Sequence, residues 1–556
     1  MVIGDQGIIN QASGMMIMCN LEPISTLSDG GFHFLYVLSD ALQEKEFSKR
    51  AAELKEGVRK MVDQKMDPLE KLELVDLLQR LGVSYHFEDE IQHVLEHIYT
   101  SSCWCNGDQD LYATALQFRL LRQHGYKVPQ DVFCGFMDDQ GNFKRTLRED
   151  TKGILSLYEA TYLCMEGESI MEAAQRFCTK HLREIQNMNT LDQDLVEHDL
   201  EMPLYWRMQR FEARWFISVY EKRHNMKPVL LEFAKLDYNM VQAKYLEELK
   251  QMSRWNKDIS LAEKMSFARD RLVEGFLWAV GFTPDPQFEY CRKISTKLSV
   301  LLTILDDLYD VYGALEELEI FTDVVQRWDV NAAETVLPEY MKICFLAIFN
   351  SMNELGYDVL KDQGLSIITN IRKQWANLCK FYLLEVKWNL GGYAPTLDEY
   401  LDIAFITNTG PLLLMHAYFC ITNPINIEDL QHLEQYPGII RSSAMILRLV
   451  NDLRTSPDEM LKGDIPKAIQ CYMRESGCSE EKAGEYINGL IAETWKKLNT
   501  ELVGTERPLS KEFRRTARNL PRIAQFIYQH GDGFGVRPDE MKNRIVSLFF
   551  EPIPMP

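Results

Sequence analysis

The stretch LSVLLTILDDLYDVYGALEELE, residues 298–319, places three aspartates inside a segment that is apolar on both sides. The apolar flanks predict a long helix that is otherwise buried. On this helix Asp306 and Asp310 lie four residues apart and share one face, with Asp307 beside them. Because buried carboxylates repel one another, they are usually paired with cations or bound to a metal ion. The alternative is that the three acids form a solvated face of the helix.

A divalent metal ion is the partner that this chemistry favours. Carboxylate oxygens are hard ligands that suit Mg²⁺ or Mn²⁺, and these ions keep bound waters and complete their coordination on substrate phosphate. A diphosphate substrate would therefore explain why acids stand in an apolar helix.

A second polar series occurs in ILRLVNDLRTSPDEMLKGD, residues 446–464. Asn451, Thr455 and Glu459 are separated by four and again by four residues, so on a helix each position turns only about 40° from the previous one. An amide, a hydroxyl and a carboxylate would then line up as a weakly charged metal site, although the pattern is equally typical of polar residues on a helix surface. Pro457 predicts a kink just before Glu459.

A basic pair occurs in FARDRLVEGFLWAVG, residues 267–281. Arg269 and Arg271 lie two residues apart and so do not share a helix face. They could straddle a helix end or clamp a phosphate from a loop. The alternative is a salt-bridge cluster on the surface.

The composition limits the partners and the size of the domains. A chain of 556 residues is too long for one hydrophobic core. The formal net charge of −21 argues against nucleic-acid and anionic-membrane partners, whose phosphates are bound by clustered Lys and Arg. The longest apolar run, residues 410–421, is too short to span a membrane. We therefore predict no nucleic-acid or membrane partner, and we expect a monomer.

The first residues predict a cytoplasmic protein. Residues 1–44 contain no Lys or Arg and several acids, whereas organelle transit peptides are rich in Arg and Ser and poor in acids. This segment resembles neither a transit peptide nor a secretory peptide. A processed form would instead point to the plastid.

Helical patterns dominate the rest of the chain. Residues 68–83, 109–126 and 169–185 repeat apolar side chains at three- and four-residue spacing, and turns rich in Gly, Pro and Asp separate such segments. Alternating strand patterns are scarce. The sequence therefore predicts an all-α protein.

The sequence also predicts a domain organisation. A polar, acid-rich stretch at residues 187–203 separates the helical first part from an aromatic-rich second part. We expect an N-terminal segment, residues 1–44, that is disordered in part. It is followed by an N-terminal domain, residues 45–225, and a C-terminal catalytic domain, residues 226–556.

Taken together, the motifs resemble those of the plant terpene synthases, and the resemblance extends from about residue 50 to the C-terminus. DDLYDVYG (306–313) fits the aspartate-rich DDxxD motif of that family, NDLRTSPDE (451–459) its second metal motif and FARDRLVE (267–274) its RxR motif. LYWRMQRFEARWF (204–216) and YQHGDGFG (528–535) are also similar to family sequences. The resemblance implies the class I terpenoid synthase fold, with an N-terminal α/α-barrel that has no chemistry of its own and a C-terminal α-helical bundle.

The resemblance also implies roles for individual residues. Three Mg²⁺ ions are expected, with Mn²⁺ as an alternative. The first metal cluster matches Asp306, Asp307 and Asp310, with Asp306 and Asp310 as direct ligands, and the second matches Asn451, Thr455 and Glu459. The diphosphate-binding positions match Arg269, Arg271, Arg448 and Lys467. The pocket wall and closing loop match Trp278, Tyr528 and Asp532, for which core packing and a loop acid are an equal alternative.

The implied activity is that of a magnesium-dependent carbon–oxygen lyase acting on geranyl or farnesyl diphosphate. The paired arginines followed by Trp that many cyclising members carry near the N-terminus are absent, so the chain resembles the acyclic-product linalool and nerolidol synthase group. Such enzymes quench the allylic cation with water at its tertiary end. A cytosolic location favours farnesyl diphosphate and hence nerolidol, while geranyl diphosphate would give linalool.

Other activities stay open. The chain could make an acyclic olefin of the myrcene or ocimene type, or a cyclic monoterpene or sesquiterpene, because pocket shape decides the product. A non-catalytic helical scaffold is the remote alternative. No DxDD motif occurs in the N-terminal domain, so cyclisation initiated by protonation is not expected.

Overall fold

The protein is built from α-helices. The computed structural model describes residues 41–101, 110–185, 193–265, 267–460, 467–504, 509–531 and 538–555. Across these ranges there is no β-strand, and an isolated β-bridge joins Met137 to Phe143. The predicted all-α class is confirmed.

The first eight helices belong to an N-terminal unit. They are α1 (Ala41–Asp63), α2 (Pro68–Arg80), α3 (Glu88–Ser101), α4 (Leu111–Gln123), α5 (Thr151–Thr161), α6 (Ser169–Ile185), α7 (Gln193–Glu201) and α8 (Gln209–Glu221). Successive helices α4, α5 and α6 pack on one another over a core of Leu, Val and Phe side chains. The buried Arg122 of α4 donates to a carboxylate oxygen of Glu168 (2.6 Å) and to the carbonyl of Leu163 (3.0 Å). This buried charge is therefore satisfied by the core of the unit itself.

The helices that follow form a larger bundle. They are α9 (Pro228–Ile259), α10 (Leu261–Lys264), α11 (Leu272–Phe282), α12 (Glu289–Asp307), α13 (Leu315–Arg327), α14 (Val330–Val336), α15 (Glu339–Gln363), α16 (Ile368–Leu390), α17 (Leu397–Thr407), α18 (Gly410–Ile421), α19 (Ile427–Leu433), α20 (Gly438–Met460), α21 (Ala468–Ser476), α22 (Glu480–Gly504), α23 (Lys511–Tyr528) and α24 (Pro538–Phe549). Helix α12 packs against α11, α15 and α18, and most of its side chains from Cys291 onward are buried. It is the central helix of the bundle.

The two units do not divide at a simple point in the sequence. Among the described residues, the C-terminal unit lies within Lys244–Thr494 and Leu509–Val546, and the N-terminal unit takes in the chain from residue 41 to Ala243 together with parts of Trp495–Pro508 and Ser547–Pro556. The points of division fall inside or beside α9, α22 and α24. The domain boundary predicted at 225/226 stays a prediction, and the predicted segment 1–44 lies almost wholly outside the described residues.

Helix α12 is followed by a wider helical turn. Helix α12 ends at Asp307, and Leu308–Tyr312 forms one π-helical turn, closed by a hydrogen bond from Gly313 N–H to the Leu308 carbonyl (2.8 Å). A Cβ at Gly313 would lie 2.6 Å from Leu318 Cδ2 and 2.9 Å from the Leu308 oxygen. Glycine is therefore needed where the chain turns back, and Asp310 lies in the π turn rather than in the α-helix that the sequence predicts.

The longest apolar stretch in the described part of the chain is buried inside the bundle. Residues Leu397–Ile421 are long and apolar enough to cross a membrane by length and composition, and 94% of that window is buried. The stretch is broken between α17 and α18, where Thr409 has a positive φ of 66°. The Asn408 side chain bridges the break, since it donates to the Ala444 carbonyl (2.6 Å) and accepts from Gly410 N–H (2.9 Å).

Candidate active site

The predicted aspartates lie at the buried end of α12. Asp306 and Asp307 are 3% and 4% exposed, and Asp310, in the π turn, is half-buried. The apolar side chains of α12 pack in the bundle. Asp306 and Asp307 belong to the same helix and are buried together with them, because a helix holds its side chains at fixed angles to its buried face. Two carboxylates are therefore desolvated side by side.

Arg269 contacts both buried carboxylates. It lies in the non-helical segment between α10 and α11, and its main-chain N–H donates to Asp307 Oδ2 (3.0 Å). Its guanidinium Nη2 donates to Asp306 Oδ2 (3.1 Å) and lies 2.5 Å from Asp307 Oδ1. The sequence-predicted arginine and the sequence-predicted acids thus meet in the folded chain.

Burial disfavours the charged forms of these acids in spite of their cationic neighbours. Burial raises the pKa of Asp306 to about 8, an effect that Asp307 reinforces and that Arg269 and Lys467 oppose. Burial also raises the pKa of Asp310, and the charges of Asp306 and Glu385 raise it further. Such carboxylates favour any arrangement that brings additional positive charge to them.

The second polar series lies on α20. Asn451 and Thr455 are 6% and 2% exposed, and Thr455 Oγ1 donates to the Asn451 carbonyl (3.2 Å). The side-chain Nδ2 of Asn451 is buried and has no hydrogen-bond partner among the described residues. Helix α20 continues through Pro457 to Met460. The side chain of Glu459 lies outside the described residues.

The predicted cations Arg448 and Lys467 are both buried near these groups. Arg448, 1% exposed, donates from Nε to Tyr400 Oη (2.9 Å), and the same Nε lies 2.9 Å from Asp452 Oδ1. Tyr400 Oη in turn donates to Asp452 Oδ2 (2.8 Å). Lys467, 2% exposed, precedes α21 and lowers the pKa of Asp306 and Asp310 through its charge.

The remaining predicted residues are placed less centrally or fall outside the described chain. Arg271 is buried and pairs with Glu274 through Nη1 (3.0 Å). Trp278 on α11 and Tyr528 at the end of α23 are buried. Asp532 lies outside the described residues. The structure therefore groups Arg269 with the acids and pairs Arg271, which directly precedes α11, with Glu274 of that helix.

Sequence reasoning missed Glu385 on α16. This carboxylate is 6% exposed and accepts a hydrogen bond from Thr407 Oγ1 (2.9 Å), and burial raises its pKa to about 7. Its charge raises the pKa of Asp310, and Arg448 and Lys467 act on it in turn. In the sequence it stands alone in a helical pattern, with no acidic neighbour at helical spacing to draw attention to it.

The residues fit a cation that is shared with a substrate. Within the described ranges, no group of three His, Cys, Asp or Glu side chains forms a complete metal cage. Mg²⁺ does not require one, because it is usually held by one or two carboxylates together with substrate phosphates and water. Buried carboxylates with a raised pKa, and the buried side-chain oxygens of Asn451 and Thr455, are groups of the kind such an ion takes.

Comparison with known proteins agrees with this geometry. The model of the metal-binding domain of the terpene synthase family matches residues 257–497, and the model of the terpene synthase N-terminal domain matches residues 30–200. The chain belongs to the terpene synthase family. It is a terpene synthase of the monoterpene type, a lyase that acts on prenyl diphosphates, and not a non-catalytic scaffold.

Relatives and solved structures cover nearly the whole terpene synthase chain. A (−)-alpha-terpineol synthase of Vitis vinifera is 55% identical over 515 residues, which are 91% of this chain and 86% of the relative. A chloroplastic linalool synthase of Coffea arabica is 51% identical over 95% of this chain and 89% of its own. The isoprene synthase of grey poplar, solved with three Mg²⁺ ions and dimethylallyl-S-thiolodiphosphate, is 44% identical with a TM-score of 0.87, over 93% of this chain and 100% of that one. The class I terpenoid synthase fold is confirmed.

The product is not fixed by family membership. Relatives of similar identity are named for different products, including a myrcene synthase of Quercus ilex (54%) and a trans-alpha-bergamotene synthase of Phyla dulcis (52%). The narrower prediction of a linalool or nerolidol synthase therefore stays a prediction.

The predicted cytoplasmic location is wrong. The myrcene synthase of Quercus ilex and the linalool and limonene synthases of Coffea arabica are named as chloroplastic, at 48% to 54% identity. The charge composition of residues 1–44 was a poor guide, because acids and a lack of Arg describe that segment without specifying a compartment. The preference for farnesyl diphosphate was inferred from that location, and it is therefore no longer supported.

Proposed function

We propose that this terpene synthase ionises geranyl diphosphate and captures the resulting cation with water, which gives the acyclic tertiary alcohol linalool and diphosphate. The observation that carries the reaction class is the pair of buried carboxylates at the end of α12, bound by Arg269. Capture by water is supported by relatives named as linalool and terpineol synthases, since both products are tertiary alcohols.

Two sets of oxygens would hold the metal. We infer three Mg²⁺ ions, with Mn²⁺ as an alternative, on Asp306, Asp307 and Asp310 from one side and on Asn451, Thr455 and Glu459 from the other. When bound, the ions neutralise the leaving diphosphate as Lewis acids. The raised pKa of Asp306 and the burial of the polar side chains of Asn451 and Thr455 support these assignments.

The buried cations would bind the diphosphate directly. We assign this role to Arg269, Arg271, Arg448 and Lys467. Guanidinium groups bind phosphate oxygens in pairs, and their strength increases where water is excluded. Arg269 already lies against the carboxylates, so it would exchange part of its contact with Asp306 for phosphate oxygens when substrate arrives.

The reaction then requires ionisation of the bound substrate and a pocket whose shape guides the cation. The allylic C–O bond breaks, both bonding electrons leave with the diphosphate, and a delocalised cation remains. The aromatic faces of Trp278 and Tyr528 would stabilise it, and Asp532 would lie in the closing loop. Water adds at the tertiary carbon and loses one proton to give the alcohol, and small differences in barrier decide between this course and its competitors.

A second product is favoured by a specific relative. The terpineol synthase of Vitis vinifera is 55% identical to the chain over 515 residues, and its product also ends in capture by water, after ring closure. Olefins arise when the cation loses a proton instead. With farnesyl diphosphate the same acyclic course would give nerolidol.

Labelled water separates these outcomes in one experiment. Purified protein with Mg²⁺ is supplied with geranyl and, separately, farnesyl diphosphate in H₂¹⁸O, and the volatiles are analysed by chiral gas chromatography and mass spectrometry, with EDTA as control. We expect ¹⁸O-labelled linalool from geranyl diphosphate and no turnover with EDTA. Labelled terpineol would replace the acyclic course by the cyclic one, and unlabelled olefins as main products would contradict capture by water.

The active species is proposed to be a monomer. Both proposed sets of metal ligands lie in the C-terminal unit of a single chain, so no second copy is needed to complete them. Light scattering coupled to size exclusion, with activity measured across the peak, checks this. Activity confined to a dimer peak would contradict it.

A further inference from the structure

Three aromatic rings meet beside the candidate active site. The rings of Phe267 and Tyr312 are stacked, with centroids 4.1 Å apart and planes inclined by 9°. Tyr340 meets both rings edge-on, at 5.1 Å and 84° from Tyr312 and at 6.2 Å and 88° from Phe267. These are the offset-stacked and edge-to-face arrangements that aromatic pairs favour.

The rings come from three separate parts of the chain that carry or support the proposed catalytic groups. Phe267 stands two residues before Arg269, and Tyr312 stands two residues after Asp310 in the π turn. Tyr340 is the second residue of α15, and its Oη donates to Glu317 Oε2 on α13 (2.6 Å). The three rings therefore link the segment that carries Arg269 to the turn that carries Asp310, and Tyr340 connects both to helix α15 of the bundle.

The ring contacts do not depend on charge. The main-chain N–H and guanidinium of Arg269 hold its segment through Asp306 and Asp307, the carboxylates that metal and substrate would engage. Those contacts are expected to change during each catalytic cycle. The stacking of Phe267 on Tyr312 uses no carboxylate, so it can persist while the ion pairs rearrange.

Core packing does not account for the stacking. Tyr312 is 54% exposed, and Phe267 and Tyr340 are half-buried. An exposed ring contributes little to the free energy of unfolding. Its removal is therefore expected to affect local placement more than global stability.

We propose that Phe267, Tyr312 and Tyr340 form an aromatic clasp that positions the segment of Arg269 against the turn of Asp310. The aromatic clasp rests on the proposed function, because it positions residues assigned there to the metal and the diphosphate. Its members are positioning residues and do not touch the reacting atoms.

Kinetics of a double-mutant cycle test the clasp. Phe267→Ala and Tyr312→Ala are each expected to lower kcat/KM and to raise the Mg²⁺ concentration for half-maximal rate, by roughly tenfold, as expected when a positioning contact is lost. The double variant should lose less than the product of the two single effects, because both single variants already remove the stacked Phe267–Tyr312 contact. Phe267→Tyr and Tyr312→Phe keep the stacked rings and should retain activity.

A second readout needs neither metal nor turnover. Hydrogen–deuterium exchange of the metal-free protein should become faster in residues 267–271 when either Phe267 or Tyr312 is replaced by alanine. Tyr340→Phe keeps the ring but loses the hydrogen bond to Glu317, and should produce a smaller change in the same segment. Unchanged exchange in all three variants would overturn the clasp.

A matched control comes from a second stacked aromatic pair, which two tyrosines form. Tyr472 of α21 and Tyr486 of α22 stack at 3.9 Å and 4°, and Tyr486 is 40% exposed. Tyr486→Ala should leave kcat/KM and the Mg²⁺ dependence unchanged. Equal losses in Tyr486→Ala and Tyr312→Ala would contradict a positioning role.

One further variant separates failure of the clasp from failure of the proposed function. Asp306→Asn should abolish most turnover if the carboxylates act as proposed. Inactive Asp306→Asn together with fully active clasp variants would overturn the clasp alone. Active Asp306→Asn would overturn the assignment of the site on which the clasp depends.

Discussion

At the scale of single residues, Asp306 is under electrostatic tension, because the fold buries it although burial disfavours its charged form. The carboxylate is nearly fully buried next to Asp307, and Arg269 contacts both of them. Burial raises its pKa to about 8 even so. A folded chain keeps such a group only where something else compensates it, and functional sites are where this is usual.

Because of this electrostatic tension, replacing the Asp306 or Asp310 carboxylate should lower the activity but should not lower the melting temperature of the metal-free protein. Asp306→Asn and Asp310→Asn should each lower kcat by roughly a hundredfold or more, because a ligand for the metal that stabilises the leaving diphosphate is lost. In EDTA the same variants should melt at the same temperature as the native protein or above it, because a desolvated carboxylate is removed. Steady-state kinetics and thermal melts check both effects.

The control for these variants is a carboxylate outside the site. Asp323→Asn on α13 removes the exposed partner of Arg327 and should change neither kcat nor the melting temperature appreciably. Lower melting temperatures for Asp306→Asn and Asp310→Asn in EDTA would contradict the view that these acids are under electrostatic tension.

A buried histidine predicts part of the acid sensitivity. His416 on α18 is fully buried, and burial lowers its pKa to about 4, although its Nδ1 bonds to the Leu412 carbonyl (2.7 Å). Between about pH 6.5 and 4 the unfolded chain binds a proton that the folded chain does not, so the free energy of unfolding falls as the pH falls. Between pH 7 and 5 this group should account for about 2 kcal/mol.

Urea unfolding of His416→Leu at the two pH values measures this contribution. The variant should lose less stability than the native protein between pH 7 and 5, whereas the exposed His432→Leu should behave as the native protein does. Parallel losses in native protein and His416→Leu would show that the acid sensitivity has another source.

At the residue scale, the sequence identified groups that the fold brings together where charge and spacing coincide. Asp306, Asp307 and Arg269 were recognisable from their motifs, and the fold brings them into contact. Glu385 was not recognisable, because its only signal is spatial: it comes from α16 and reaches Asp310 through the packing of the bundle. Spacing along the chain carries no information about such a neighbour.

At the scale of elements, the π turn after α12 sets the direction of Asp310. Gly313 N–H bonds to the Leu308 carbonyl and closes the turn, and Leu318 and that carbonyl occupy the space where a Cβ would stand. The sequence predicts helix here but not its final turn, since apolar periodicity is the same for an α-helix and for a single π turn within it.

Gly313→Ala should therefore act on catalysis through geometry. The added Cβ would meet Leu318 Cδ2 at 2.6 Å, so the turn must shift, and a displacement of about 1 Å at a catalytic group lowers kcat/KM by up to about a hundredfold. Gly489→Ala on α22 meets nothing within 4 Å and should be neutral or slightly stabilising. Full activity of Gly313→Ala in steady-state kinetics would contradict the assigned role of the turn.

The break between α17 and α18 depends on one side chain. Asn408 satisfies the Ala444 carbonyl and the Gly410 N–H, so Asn408→Ala should lower the free energy of unfolding by about 1–3 kcal/mol. Asn488→Ala, whose exposed amide bonds only to the Gly484 carbonyl within its own helix, should change it by less than about 0.5 kcal/mol. Urea unfolding distinguishes the two, and equal small effects would mean that other contacts hold the break.

At the scale of the whole molecule, the sequence predicts class and family better than it predicts product or location. The all-α class follows from helical periodicity, which is a local property, and the reaction class follows from motifs that the fold brings together. The product depends on the shape of an apolar pocket, to which many residues contribute small amounts, so relatives of 51% and 55% identity are named for different alcohols. The division into units through α9, α22 and α24 likewise depends on contacts between distant parts of the sequence.

We infer that two sets of oxygens in the C-terminal unit bind a prenyl diphosphate through metal ions. Anomalous diffraction from crystals grown with Mn²⁺ and an unreactive geranyl thiolodiphosphate tests this most directly. We expect manganese peaks at the carboxylates of Asp306 and Asp310 and at the side-chain oxygens of Asn451 and Thr455, with the diphosphate between them. A bound analogue with no manganese at either set would contradict it.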